Sequence, residues 1–235
     1  TTAEASLTLR YAPGESFVNS KQRRIPVSLD APIFTLTHAM GFKGVLGGEY
    51  SFNRTEASVW KRFWLPSSWG KIDCSIKAGA EWNTVPFPLL ILPEANLSYI
   101  TQRETFNLIN NMEFLNDRFA SVSLSYDMNG KLFNRIPLIK NLKWREMFRV
   151  RALWGTLTDK NNPFKSSNPD LFRFPMRDGK FTSFVMDPKI PYVEASVGIY
   201  NIFKLLHIEY VHRFTYRDNP GINKNGVRFM VLMAF

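Results

Sequence analysis

Residues 72–82 read IDCSIKAGAEW, and apolar residues stand at every second position of this stretch. Successive side chains of a β-strand point to opposite faces, so this period predicts a strand with one apolar and one polar face. A helix could not keep one side dry with the same spacing. The apolar members are Ile72, Cys74, Ile76, Ala78, Ala80 and Trp82.

The same period recurs along the chain. Segment 120–128 alternates Val122, Leu124 and Tyr126 with serines and an aspartate. About ten strands emerge, an even number, and no convincing helix, which predicts an all-β antiparallel up-and-down fold. The further strand segments are 7–11, 34–40, 106–114, 148–154, 193–199 and 206–216, with weaker alternation at 54–65 and a terminal strand at 226–235.

Composition limits the class of protein. The 235 residues are 45% hydrophobic, 14% aromatic and 21% charged, which excludes disorder and predicts one folded domain over 1–235. The longest apolar stretch, 85–93, is interrupted by proline and falls far short of the roughly 20 residues that a membrane-spanning helix needs. If the chain crosses a bilayer, it therefore crosses with strands.

Strand length and aromatic placement bear on where the apolar face points. Strands of about ten to thirteen residues, tilted by about 40°, are roughly 25–30 Å tall, which is the height of the apolar band of an outer-membrane barrel. Trp69 and Trp82, and likewise Trp144 and Trp154, bracket such segments as aromatic girdles would. We predict a transmembrane β-barrel. The alternative, a soluble β-barrel that binds an apolar ligand, predicts shorter strands and scattered aromatics.

The last segment, GVRFMVLMAF at 226–235, ends on an aromatic residue. This ending resembles the C-terminal recognition signal by which outer-membrane barrels engage their insertion machinery. Met230, Leu232 and Ala234 make the other face apolar as well, which predicts that a plug, a folded-in loop or a neighbouring domain covers it. The residues of the predicted signal are Val227, Phe229, Val231, Met233 and Phe235.

Strand alternation also predicts the side on which each connection lies. If the terminal strand descends to the periplasm, 158–190 becomes the largest extracellular loop and 217–225 a shorter one. The connections 41–53, 83–104 and 129–142, together with Thr1, then fall on the periplasmic side.

The charged residues on the polar strand faces are predicted to face the barrel interior. They would form a salt-bridged lumen or line a pathway, and Arg149 and Arg151 are the best lumen pair. The net charge of +10 is dispersed along the chain, so no nucleic acid is expected as a partner. The lumen-facing residues are Lys71, Asp73, Lys77, Glu81, Arg149, Arg151, Glu194, Glu209 and Arg213.

The turn at 134–140 has two interpretations. It is a docking surface for periplasmic partners, built on Arg135, Trp144, Arg145 and Glu146, or an interfacial turn anchored by the tryptophan. The chain offers no nucleophile motif, no suggestive pair of carboxylates and no phosphate-binding loop, and its three histidines are dispersed. We therefore expect no enzyme activity, catalytic residue, metal or cofactor.

Three stretches carry a family resemblance: FTLT at 34–37 followed by GFKGVLG at 41–47, NRIPLIK at 134–140 with LKWRE at 142–146, and NIFK at 201–204 leading to RFTYRDNP at 213–220. Over about 31–235 the chain resembles an uncharacterised family of outer-membrane β-barrels from Bacteroidetes, whose full chains carry an N-terminal carboxypeptidase-like regulatory domain. The resemblance implies the C-terminal part of a larger barrel, located in the outer membrane, without a settled activity.

These observations lead to three functional hypotheses. The first is an outer-membrane barrel that serves as a transport, secretion or assembly scaffold with partner proteins. The second is a passive pore with a polar lumen, and the third is the soluble ligand-binding barrel. The expected partners are outer-membrane lipid including lipopolysaccharide, the barrel-insertion machinery, and other outer-membrane or periplasmic proteins.

Overall fold

The computed structural model describes residues 1–102, 104–165, 171 and 173–231. Within these residues the fold is all-β, with one short helix, α1 (Pro137–Leu142), and three single turns of 3-10 helix at Phe87–Leu89, Phe133–Arg135 and Asp159–Asn161. The strands are β1 (Glu4–Tyr11), β2 (Phe17–Asn19), β3 (Arg24–Pro26), β4 (Ile33–Gly41), β5 (Phe52–Trp64), β6 (Lys71–Glu81), β7 (Arg118–Asp127), β8 (Arg145–Thr156), β9 (Met176–Arg177), β10 (Lys180–Phe181), β11 (Tyr192–Ile202), β12 (Leu206–Arg213) and β13 (Asn225–Val231).

Nine strands form one antiparallel sheet in the order β1-β4-β5-β6-β7-β8-β11-β12-β13. The hairpins β2–β3 and β9–β10 lie in its connections. Side chains from β4 through β13 line one shared cavity, so the sheet curls around it. Within the described residues, β1 and β13 are edge strands that do not pair with each other, so the sheet is not a closed barrel. No helix among these residues is long and apolar enough to cross a lipid bilayer.

The prediction of a strand at 106–114 is wrong, and so is the count of about ten. Thirteen strands form in the described part of the chain, and 106–114 is a series of turns and bends with only isolated bridges at Phe106 and Phe114. Met112 has a φ of 58°, which interrupts an extended conformation. Phe106, Ile109 and Phe114 are buried against Tyr192 on the inner side of the sheet. The apolar residues of this segment are therefore part of the core and do not belong to a strand of the sheet.

Because 106–114 is not a strand, the connections before it lie at the opposite end of the sheet from the predicted one. Because the nine strands alternate in direction, connections 42–51, 82–117, 157–191 and 214–224 share one end of the sheet, here called the loop end. Connections 12–32, 65–70, 128–144 and 203–205 share the other, here called the turn end. The prediction that 41–53, 83–104 and Thr1 lie opposite 158–190 is therefore wrong. Thr1 lies at the loop end, where its amino group contacts Glu49 at 3.0 Å.

The core lies on the inner side of the sheet. Connection 82–117, here called the inner segment, turns back over that face and packs with connection 157–191 in two apolar clusters. One cluster holds Phe106, Ile109, Phe114, Leu153, Met186 and Tyr192. The other holds Phe52, Val85, Leu90, Leu115, Leu157 and Phe174.

Candidate functional site

The burial of the two sheet faces is the reverse of that in a water-soluble protein. Apolar side chains on the outer face are exposed, as Leu9 (57%) and Val150 (46%) show, whereas Arg151 (2%) and Glu209 (0%) on the inner face are buried. A water-soluble sheet normally buries its apolar face and exposes its charges. The most distinctive chemistry of the molecule is therefore on the inner face.

All nine charged residues singled out from the sequence lie on this inner face. Five of them line a cavity of about 780 Å³, and the other four are buried beside it. The cavity-lining residues are Lys71, Asp73, Lys77, Arg149 and Arg151. The buried ones are Glu81, Glu194, Glu209 and Arg213.

Two ion pairs join β8 to its neighbour β11 and to the strand beyond it, β12. Arg149 Nη1 on β8 lies 2.9 Å from both carboxylate oxygens of Glu209 on β12. Glu209 also accepts a hydrogen bond from Ser196 Oγ and lies 3.4 Å from His207 Nε2. Arg151 Nη1 donates to Glu194 on β11 at 3.1 Å. Buried ion pairs add little net stability because desolvation is costly, but they fix one arrangement of the groups around them.

Glu194 connects the sheet to the inner segment. Its carboxylate accepts hydrogen bonds from the backbone N–H groups of Asn107 at 2.9 Å and Leu108 at 3.1 Å, and from the Tyr192 hydroxyl at 2.9 Å. Arg151 makes a second connection by donating to the carbonyl of Gln102 at 3.1 Å. One ion pair thus holds two parts of the inner segment.

Arg213 makes the deepest connection, because it is fully buried. Its guanidinium donates to the Glu113 carboxylate at 2.5 and 3.0 Å and to the Leu108 carbonyl at 3.2 Å. The Phe114 ring lies beside it and packs edge-on against Tyr216 at 5.1 Å. Burial raises the pKa of the Tyr216 phenol, which donates to the Ile190 carbonyl at 2.7 Å. Glu113 and Arg213 therefore join three connections of the loop end.

On the strands nearer β1, the charges are less buried. Arg62 pairs with Asp73 at 2.6 Å, and Lys71 lies 3.7 Å from Asp127. Lys77 contacts two carboxylates of the inner segment, Glu94 at 3.0 Å and Glu104 at 2.8 Å, and more than half of each of those side chains is exposed.

The inner segment also covers β13. The backbone N–H of Thr101 donates to the Phe229 carbonyl, and the N–H of Phe229 donates to the Tyr99 carbonyl, both at 2.9 Å. Arg228 donates to the Asn107 carbonyl. A Cβ at Gly226 would lie 2.9 Å from the Leu108 side chain. Over the described part of β13 the inner segment is thus a folded-in loop, whereas Met230 on the inner face lines the cavity. Leu232 and Ala234, on which the prediction of a cover also rests, lie outside the described residues.

The predicted C-terminal signal is only partly described. Val227, Phe229 and Val231 lie on the exposed outer face of β13. Met233 and Phe235 lie outside the described residues.

The predicted docking residues lie at the turn end, but they do not form one surface. Arg135 and Arg145 are exposed and Trp144 is half-buried. Glu146 is buried and accepts the backbone N–H of Leu132 at 2.6 Å, so it holds the turn in place.

Sequence reasoning missed the residues of the inner segment that receive these connections. Glu113 and Asn107 lie in 106–114, where the alternation predicts a strand that does not form, so it does not show which side chains meet the charges of the sheet. Asp117 was missed as well, although it is fully buried and accepts hydrogen bonds from the N–H of Thr158 and from Asn161 Nδ2. The described residues contain no cluster of three or more metal-binding side chains.

A curled antiparallel sheet with exposed apolar residues and buried charges defines the class: an all-β protein whose interior holds both ion pairs and an apolar core. Residues 1–164 match the model of the C-terminal domain of a family of unknown function, DUF5686, and the chain belongs to this family. The match includes the stretches at 34–47 and 134–146 that carried the resemblance, and it ends before the one at 201–220. No curated protein matches the chain.

Proposed function

We propose that the chain is an integral protein of the bacterial outer membrane and that its curled sheet forms part of the wall of a β-barrel. The reversed burial of the sheet carries this proposal, because lipid solvates an apolar outer face whereas a barrel interior is polar. Exposed tryptophans of the outer face at the loop end, Trp82 and Trp154, fit an aromatic girdle of such a barrel. The third hypothesis, a soluble barrel, would leave this apolar face in water.

Within this class, we propose a transport, secretion or assembly scaffold that works with partner proteins. The inner segment supports this choice over a passive pore, because buried hydrogen bonds that Glu194 accepts and Arg213 donates hold it inside the curl. The loop end would face outward and the turn end the periplasm if β13 descends. The long connections of the loop end then fall where barrels of this type carry their long loops.

The cavity supports the passive pore as a second candidate, since about 780 Å³ remains beside the inner segment and its lining includes charged and hydroxyl side chains. Planar bilayer recordings separate the two. A scaffold with a closed interior gives no steady conductance, whereas a pore conducts in the wild-type form and changes conductance when Arg149→Gln alters its lining.

Membrane insertion is tested by extraction of the full-length protein with detergent, followed by gel mobility with and without heating. A folded barrel migrates differently before and after heating, and protein companions in constant ratio would support the scaffold. A protein that stays in buffer without detergent would overturn membrane insertion. A protein that inserts but always purifies alone would overturn only the scaffold.

A matched pair of substitutions tests the lipid-facing surface. Val150→Arg places a charge near the middle of β8, and we expect it to cost about 2–4 kcal/mol of unfolding free energy in lipid vesicles. Leu46→Arg is the control, because Leu46 lies in a turn, is 91% exposed, and should change that energy by about 0.5 kcal/mol or less. Urea titration of both refolded variants measures the difference. Equal effects would contradict a lipid-facing β8.

A further inference from the structure

Among the connections, the excess of positive charge is concentrated at the turn end of the sheet. The connections of the loop end hold ten Lys or Arg against ten Asp or Glu, whereas those of the turn end hold eight against two. Most of this excess is in connection 128–144, which has four basic residues and no acidic one. The two nearest carboxylates are occupied: Asp127 accepts from the Tyr200 hydroxyl at 2.5 Å, and Glu146 is buried under the turn.

Large aliphatic and aromatic side chains are exposed among these cations. Leu138 on α1 is 82% exposed, and Phe203 in the β11–β12 turn is 79% exposed. The two connections touch, because Asn201 Nδ2 donates to the Lys143 carbonyl at 2.7 Å. Residues 128–145 and 201–205 are called the basic platform below. Its other exposed apolar residues are Leu132, Ile136, Leu142 and Leu205.

A small cavity lies within the basic platform. It has a volume of about 270 Å³ and presents two cations, an indole and three amide side chains. Ammonium, guanidinium and amide N–H groups are the donors that proteins use for phosphate. The lining residues are Asn129, Asn134, Lys143, Trp144, Arg145 and Asn201.

We propose that the basic platform binds the phosphate headgroup of an anionic phospholipid, with its exposed apolar side chains among the acyl chains. This inference rests on the proposed membrane location. Basic and apolar residues together are typical of segments that lie in the interface of an anionic membrane. The platform also leads directly into the exposed face of β8, where Phe148 follows Arg145 by three residues.

The composition favours lipid over a protein partner. Four of the six cations of the basic platform are lysines: Lys131, Lys140, Lys143 and Lys204. Lysine is depleted in protein–protein interfaces, whereas arginine is enriched there. Lysine stems can lie along apolar surface while the ammonium groups reach the headgroup phosphates.

The test is calorimetric titration of the full-length protein in a non-ionic detergent with three probes: short-chain phosphatidylglycerol, short-chain phosphatidylcholine and inorganic phosphate. We expect phosphatidylglycerol to bind most tightly. The double variant K143Q/R145Q should weaken its affinity roughly tenfold or more, because two charged donors to phosphate are lost. The control R177Q/K180Q removes the same charges from exposed positions of the loop end and should leave the affinity unchanged.

Other outcomes overturn the proposal. Phosphatidylcholine binding as tightly as phosphatidylglycerol would remove the role of charge, and inorganic phosphate binding as tightly would remove the role of the acyl chains. Leu138→Ser tests the apolar part and should weaken phosphatidylglycerol without changing phosphate. If K143Q/R145Q keeps full lipid affinity but loses a copurifying protein, the surface is a protein interface.

Heat-modifiable mobility checks that each variant is folded. It also separates the two proposals: a protein that dissolves without detergent contradicts membrane insertion, whereas an inserted protein without preference for phosphatidylglycerol contradicts only lipid binding.

Discussion

The two halves of the sheet share one sequence period but differ on their inner faces. In the anchored half, strands β8 and β11–β13, the inner segment covers the charges, and Arg213 and Glu194 are almost fully buried. In the open half, strands β1 and β4–β7, charges such as Arg62 and Lys77 line the cavity and keep partial contact with solvent. The inner segment, and not the strand pattern, therefore decides which charges are buried.

The largest effect that would separate the two halves is expected at Arg213. Arg213→Ala leaves the Glu113 carboxylate buried without its cation, and removal of one partner of a buried pair costs about 3–5 kcal/mol. The free energy of unfolding in detergent, measured by guanidinium titration, should fall by that amount. Arg62→Ala in the open half is the matched change and should cost about 1 kcal/mol, because the Arg62–Asp73 pair is less buried.

A double variant tests whether the unpaired buried charge causes the loss of stability in Arg213→Ala. Arg213→Met combined with Glu113→Leu removes both charges and should recover part of the stability that Arg213→Ala loses, since apolar side chains of similar volume can replace a buried ion pair. The recovery is incomplete because the Leu108 carbonyl loses its donor. Equal losses for Arg213→Ala and Arg62→Ala would remove the distinction between the halves.

A smaller effect is expected at Glu194. Glu194→Gln keeps the shape but weakens the acceptor for the Asn107 and Leu108 amides, and charged hydrogen bonds contribute about 1.5–3 kcal/mol. Hydrogen exchange of these two amides should accelerate. Exchange of the Phe119 amide, on β7, serves as the internal reference. Unchanged exchange at Asn107 and Leu108 would show that Glu194 does not hold the inner segment.

The smallest effect is expected at Lys77. Lys77→Met removes the contacts to Glu94 and Glu104, which are exposed enough for the change in unfolding free energy to be about 0–1 kcal/mol. Amide exchange near Glu94 and Glu104 should rise, whereas exchange of the Leu115 and Phe184 amides, which pair between the inner segment and connection 157–191, should not. A loss of stability as large as that of Arg213→Ala would mean that the open half is anchored as firmly as the other.

The alternation of side chains was enough to predict the sheet. Each of its nine strands overlaps a segment with that period, and the nine charged residues lie together because alternation places them on one face. The period failed at 106–114, where Phe106, Leu108 and Phe114 are spaced as in a strand. These side chains pack inward instead, and periodicity cannot distinguish a buried irregular segment from a strand.

The wrongly predicted strand at 106–114 also changes the predicted position of every connection before it. An extra strand reverses the direction of every strand before it, so connections 41–53 and 83–104 were assigned to the wrong end. The partners of the buried charges were unpredictable for a related reason: Glu113 lies 100 residues from Arg213. Irregular segments give no register from which such a pairing follows.

The pairing of Tyr99–Thr101 with β13 has a consequence for self-association. An uncapped strand can recruit a strand from another molecule. The outward-facing backbone groups of β13 at Phe229 already pair with Tyr99 and Thr101 of the inner segment. A foreign strand would have to displace the inner segment before it could pair there, so this contact protects the edge of β13 against edge-to-edge aggregation.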